Sequence, residues 1–259
     1  MDAAVCNRRL EWKPEFKTAD LEESVNHISA LLTGHDLQVV GNRQDLDVTV
    51  RHASVGKVDL VYFSYGTEVS ISPNPLGDFY ALQIPLAGTA NVAVDGQVRT
   101  YVPGTACLFS PSVSIDMALN RDCEHLDIRL DERLFKRAFE RLFDDYMPQS
   151  LTFEPFIEFG VARHEMINNI VSYLVSSIYS DCGIIKSESY QKNLEELLVN
   201  TLIFGVTHNH FTRVPAGSRA PQPAYVKRAR AFIHDNFKDA ITPGQIAKAA
   251  GISVRSIYQ

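Results

Sequence analysis

A switch of hydrophobic period divides this chain. From Leu37 to about Arg129 apolar and polar residues alternate in short runs, and from Glu132 onward apolar residues recur at intervals of three and four. Alternation sends successive side chains to opposite faces of a strand, whereas three-four spacing gathers them on one face of a helix. The alternating runs fall at 47–54, 58–65, 69–72, 80–86, 90–94, 98–102, 106–110, 114–119 and 125–130, with turn residues such as Asp95-Gly96 and Pro103-Gly104 between them. Short strands punctuated this often predict an antiparallel sandwich or small barrel. The helical part that follows makes the class α+β.

Before the strands, residues 1–20 read as a polar arm with a few aromatics. A helix carrying Leu21, Val25, Ile28 and Leu31 then runs to about Gly34, with Thr18 as its expected N-cap and Glu22 or Glu23 reaching back. After the strands, Leu134, Phe135, Ala138, Phe139 and Leu142 form one helical stripe, with Arg133, Arg137 and Arg141 opposite. A second helix is expected over 161–179. A third, over 187–204, aligns Tyr190, Leu194, Leu197, Leu198 and Leu202. The stretch from Thr207 to Pro223 is rich in Pro, Gly and Ser without periodicity, and reads as a linker.

The last stretch, Tyr225–Gln259, has its own logic. Thr242-Pro243 is a helix start, with an N-cap hydroxyl and a proline where its missing N–H costs nothing. Gly251 ends that helix and Ser253 caps another. Small Ala247, then Gly251, then buried Ile252 and Ile257 is the spacing of a helix-turn-helix, whose second helix enters the DNA major groove. Ser253, Arg255 and Ser256 stand where such a helix reaches bases or phosphates. Charge supports the division. The chain has 25 Lys and Arg against 31 Asp and Glu, and six of those bases but only two of the acids follow Ala224. An acidic body with a basic tail suits a non-DNA-binding domain joined to a DNA-binding one.

A β domain, then helices, a Pro-rich linker and a helix-turn-helix resembles the AraC/XylS family of bacterial transcription regulators. Tyr225–Gln259 resembles the start of that family's DNA-binding domain, including a preceding helix over Val226–Phe237. Gln83-Ile-Pro-Leu-Ala-Gly, Tyr101-Val-Pro-Gly-Thr-Ala and Phe109-Ser-Pro resemble the cupin-like sensor domain of one branch. The resemblance implies a cupin-like sensor over 1–130, a helical dimerisation region over 131–206, a linker over 207–224 and a partial DNA-binding domain over 225–259. The family's DNA-binding domain holds a second helix-turn-helix, so this chain is expected to carry a truncated one. It also implies DNA as partner of the full-length protein, a small-molecule effector, and a homodimer formed through its helices. The Tyr190, Leu194, Leu197 and Leu198 stripe either packs on its own domain or is shared with a second copy, and paired DNA-binding domains favour the second.

Several classes are disfavoured. The four cysteines show no CxxC spacing, so reduced thiols in a cytoplasm are expected. No window approaches the roughly 18 apolar residues that span a bilayer, and the N-terminus has no apolar signal core. Cupin enzymes hold a metal with several histidines, but between Leu37 and Arg129 there are only His52 and His125. A metalloenzyme is therefore the weakest alternative. No catalytic residue, metal ligand or required cofactor is assigned.

Two effector chemistries stay open. Arg8 and Arg9 on the arm, with Arg43, Arg51, Ser54, Gly56 and Lys57 around the first strands, suit an anionic ligand, since guanidinium groups bond phosphate bidentately. Separated arginines followed by Ser54-Val-Gly56 are similar to the cyclic di-GMP pattern of PilZ domains, although His52 replaces that pattern's acid or amide and the Ser–Gly gap is one residue shorter. The other reading is a sugar or aromatic acid inside the barrel, stacked on Trp12, Tyr62, Tyr65 and Tyr80.

Overall fold

Short strands separated by turns pair into two antiparallel sheets in the computed structural model, which describes residues 15–143, 147, 150–178, 183–211, 224–237 and 240–257. Arg8, Arg9, Trp12, Cys6 and Cys182 lie outside the described residues. The larger sheet runs in the order β1 (Glu15–Thr18), β3 (Val48–Val55), β4 (Val58–Ser64), β11 (Glu124–Asp131), β6 (Phe79–Ala87), β9 (Thr105–Phe109) and β12 (Phe156–Glu158). The smaller runs β2 (His35–Val39), β5 (Val69–Pro73), β10 (Ile115–Leu119), β7 (Ala90–Val94) and β8 (Gln97–Tyr101). The two form a sandwich and do not merge into a closed barrel. One hydrophobic core joins their inner faces, with Val50, Phe63, Ala81 and Phe109 from the larger meeting Ile71, Val92, Ile115 and Met117 from the smaller.

The two sheets differ in how they are covered. Strand β10 alternates buried and exposed residues because one face of the smaller sheet meets water. Strand β6, FYALQIPLA, is buried at eight consecutive positions. Its sheet is covered twice, by the smaller sheet on one face and by helices on the other. The register fixes which side chain goes where. Asp127 pairs with Val61 and Gln83, so these three share the inner face, while Leu126, Ile128, Leu82 and Ile84 share the outer one.

On that outer face, Phe135 of α2 (Glu132–Phe143) packs at 4.1 Å on Tyr80, whose hydroxyl donates to the Leu151 carbonyl at 3.0 Å. Helices α3 (Ala162–Ile178) and α4 (Glu188–Gly205) pack on each other, and α4 also packs on α2. Helix α1 (Leu21–Leu31) bridges β1 and β2 at the sandwich edge. Its N-cap is Asp20, whose carboxylate accepts the Glu23 N–H at 2.8 Å, and not Thr18. Thr18 instead ends β1 and bonds the Glu23 carboxylate. The expected arm and linker are also partly ordered. Residues 15–18 pair with β3, and His208 is buried with a bridge from Phe153.

The chain divides into two compact units, 1–211 and 212–259. In the second, α5 (Ala224–Asn236), α6 (Pro243–Ala250) and α7 (Val254–Ile257) follow one another. Helix α6 opens with a capping box between Thr242 and Gln245 and closes at Gly251, whose φ of 70° is left-handed. The Ile252 N–H returns to the Ala247 carbonyl at 3.0 Å, and Ala247 and Ala250 are buried.

Candidate functional site

The inner face of the larger sheet carries polar groups where a sandwich core is normally apolar. A small cavity opens between the sheets beneath the end of α1, with a volume of about 40 Å³ inside its mouth. Phe63, Phe79 and Phe109 supply aromatic wall, Ile71, Ile115 and Met117 face them, and Tyr65, Gln83 and Asp127 bring polar atoms. Among the described residues no lysine or arginine lines it. Asp127 is 5% exposed, and burial pushes its carboxyl up to about 7 against the restraint of the Gln83 amide bonded to it. Its Oδ1 has no hydrogen-bond partner among the described residues.

More polar groups lie beyond Asp127. His125 packs edge-on against Phe63 at 3.9 Å, and its Nε2 is also unpartnered. Burial pushes its imidazole down to about 3, so it stays neutral. The Tyr101 hydroxyl is buried without a partner, and burial raises both it and the Tyr65 hydroxyl. Cys107 and Cys123 are free and buried; burial raises both thiols, that of Cys123 to about 12. Among the described residues no three His, Cys, Asp or Glu side chains come together to hold a metal.

Of the cationic set expected from the sequence, the described members Arg43, Arg51 and Lys57 are spread along β3 and its flanking turns. Arg43 lies in a 3-10 turn before β3 and Lys57 in the turn after it. The eight residues of β3 between them span about 26 Å at 3.3 Å per residue. Arg51 pairs with Glu15 at 3.1 Å and lies over the Tyr62 ring, on the sheet face opposite Ser54. Ser54 donates to Asp59 at 2.7 Å. Gly56, at φ 61°, has no room for a ligand: a Cβ there would collide with Glu195 of α4. That buried carboxylate accepts the Lys57 N–H at 2.7 Å. The expected stacking walls part in the same way. Tyr65 lines the cavity, while Tyr62 and Tyr80 face outward.

The dimerisation set is also divided. Leu194 and Leu198 are core residues, 6% and 0% exposed, whereas Leu197 is 48% exposed. Tyr190 bonds Tyr173 of α3 through their hydroxyls. In the second unit, Ser253 caps α7 by accepting the Ser256 N–H at 3.2 Å, and the two hydroxyls lie 2.9 Å apart. Arg255 is exposed. Arg228 of α5 is spent internally, its guanidinium donating to the Ala250 carbonyl at the end of α6.

A two-sheet sensor sandwich backed by helices defines a known class, and residues 25–203 match the family model described as an AraC-binding-like domain. The chain belongs to that family. It is 23% identical over 246 residues to the probable thc operon regulatory protein of Rhodococcus erythropolis, covering 93% of this chain and 74% of the relative. It is 23% identical to the XylDLEGF operon transcriptional activator 3 of Pseudomonas putida, covering 82% of this chain and 61% of that one. The crystal structure of the AraC-like transcriptional activator CuxR superposes with a TM-score of 0.54 at 13% identity, covering 94% of this chain and 87% of that one. That likeness establishes a shared α+β fold. No helix among the described residues is long and apolar enough to cross a membrane.

Proposed function

We propose that this chain is an effector-responsive transcription regulator, with the effector held in the sandwich cavity and DNA contacted by the α6–α7 helix-turn-helix. The coexistence in one chain of an AraC-binding-like sandwich and a capped helix-turn-helix carries this reading. The names of its relatives, an operon regulatory protein and operon activators, agree with it. Arg255 is the exposed basic residue on α7 and the one to reach phosphate or base; Ser253 and Ser256 shape that helix start. Self-association through the exposed part of α4, around Leu197, belongs to the same proposal, because paired helix-turn-helix units read two half-sites. A cytoplasmic location follows from that activity.

The apolar lining suits a sugar or aromatic effector better than a cyclic dinucleotide, whose phosphates need cations that the described lining residues do not supply. The test is selection of bound duplexes from a random-sequence pool. Enrichment of a defined motif, weakened by Arg255→Ala and steeply by salt, is expected. A pool that stays random would overturn the regulator reading.

A further inference from the structure

The sandwich cavity has a charge character that its aromatic lining hides. Among the described residues Asp127 is the one carboxylate of the lining, it is buried with Oδ1 unpartnered, and no lining cation offsets it. Gln83 on β6 donates to it, yet an isolated carboxylate in such surroundings keeps a large desolvation cost until a full donor arrives. Arg129, the guanidinium on β11, is taken up elsewhere: it lies 4.5 Å over the Phe79 ring and reaches Asp59 and Asp78 at 3.7 Å each. His35 at the mouth is held below the usual imidazole range by burial, so it supplies no charge either.

We infer that the cavity takes the ammonium head of a small molecule, that the head docks on Asp127, and that the molecule's apolar body lies toward the open mouth. The inference rests on the sensor reading above. An ammonium gives Asp127 the missing partner, and the aromatic and aliphatic lining around it suits the apolar part of the same molecule. An anionic ligand would meet Asp127 with like charge and find no counter-ion among the described lining residues.

Docking an ammonium needs the carboxylate ionised, so binding expels the proton that burial holds there. The groups facing Asp127 are Gln83 on β6, Tyr65 after β4, Tyr101 at the end of β8, Cys107 on β9, Cys123 and His125 by β11, and His35 at the mouth. The thiols and phenols hold their protons through neutral pH, His125 stays neutral and burial holds His35 below its ordinary range, which leaves Asp127 as the group placed to change charge near pH 7.

Benzylamine, benzyl alcohol and benzoate place three head groups on one ring and serve as probes. Calorimetry of the whole chain should give benzylamine at least about tenfold tighter than either of the others. Its binding should strengthen from about pH 6 to about pH 8, with proton release seen as a buffer-dependent heat at the lower pH. Asp127→Asn should erase the preference for the amine. Ala81→Leu, which fills the cavity wall, should block all three probes and gives a second check if the first variant folds poorly. Benzoate binding as tightly as benzylamine would overturn the ammonium head and leave the cavity standing as a sensor site. Silence from all three would overturn the cavity itself.

Discussion

Asp127 and His125 sit two positions apart on one strand face and are pushed in opposite directions by the same burial. The folded chain keeps a proton on Asp127 up to about 7, whereas an unfolded aspartate loses it near 3.8. That site therefore costs stability progressively as pH rises between those values. Folded His125 stays neutral down to about 3, whereas the unfolded side chain protonates near 6.5. Its contribution is complete above 6.5 and is lost as pH falls. The two nearly cancel between about pH 4 and about pH 6.5. His208, lowered to about 4 by burial, adds to the histidine side, so the wild-type chain should lose stability on acidification. Urea midpoints across this range should then diverge between variants. Asp127→Asn should steepen the acid loss, by up to about 1.4 kcal/mol per pH unit, and His125→Gln should flatten it. Equal slopes in all three chains would show that neither group titrates as described.

At the scale of elements, the β3–β4 turn is tied to α4 through one buried carboxylate. Gly56 is left-handed and touches Glu195, so Gly56→Ala combines backbone strain with a clash. It should cost about 2 kcal/mol or more in chemical denaturation. Glu195→Gln keeps an acceptor for the Lys57 N–H and should cost clearly less. These strands and helices were mostly legible in the sequence because turn residues and apolar periods agree along 47–130 and after Glu132. Strands β1, β2 and β12 were not: they are three to five residues long, and edge pairing with β3, β5 and β9 decides them. The cavity acid escaped for a related reason. A polar residue in an alternating run such as His125-Leu-Asp-Ile reads as solvent-facing, but the larger sheet has no solvent-facing side at that point. Glu195 was hidden likewise, as one more charge on a helix whose partner lies 138 residues away in the chain.

For the whole molecule, the open question is which part of α4 serves the fold and which serves a second copy. The sequence aligned Leu194, Leu197 and Leu198 as one stripe, yet positions 197 and 198 point about 100° apart on a helix turning 3.6 residues per turn. The fold takes Leu194 and Leu198 and leaves Leu197 outside. Leu198→Ala should therefore cost about 2–5 kcal/mol of stability. Leu197→Glu should leave the melting temperature nearly unchanged and shift sedimentation from dimer to monomer. A monomeric wild-type chain at every concentration would remove self-association from the proposed function. The chain spans 61% of the length of the Pseudomonas putida activator it matches, so operon-level behaviour is a property to test in a protein of that length.

The larger sheet is also a partition one peptide layer thick. On β6 and β11, Ala81, Gln83 and Asp127 look into the cavity, while their chain neighbours Leu82, Ile128 and Tyr80 press on the helices behind. Neighbours on a strand share one backbone and cannot move independently. An occupant that displaced Gln83 or Asp127 would move the same backbone that carries Tyr80, on which Phe135 of α2 rests.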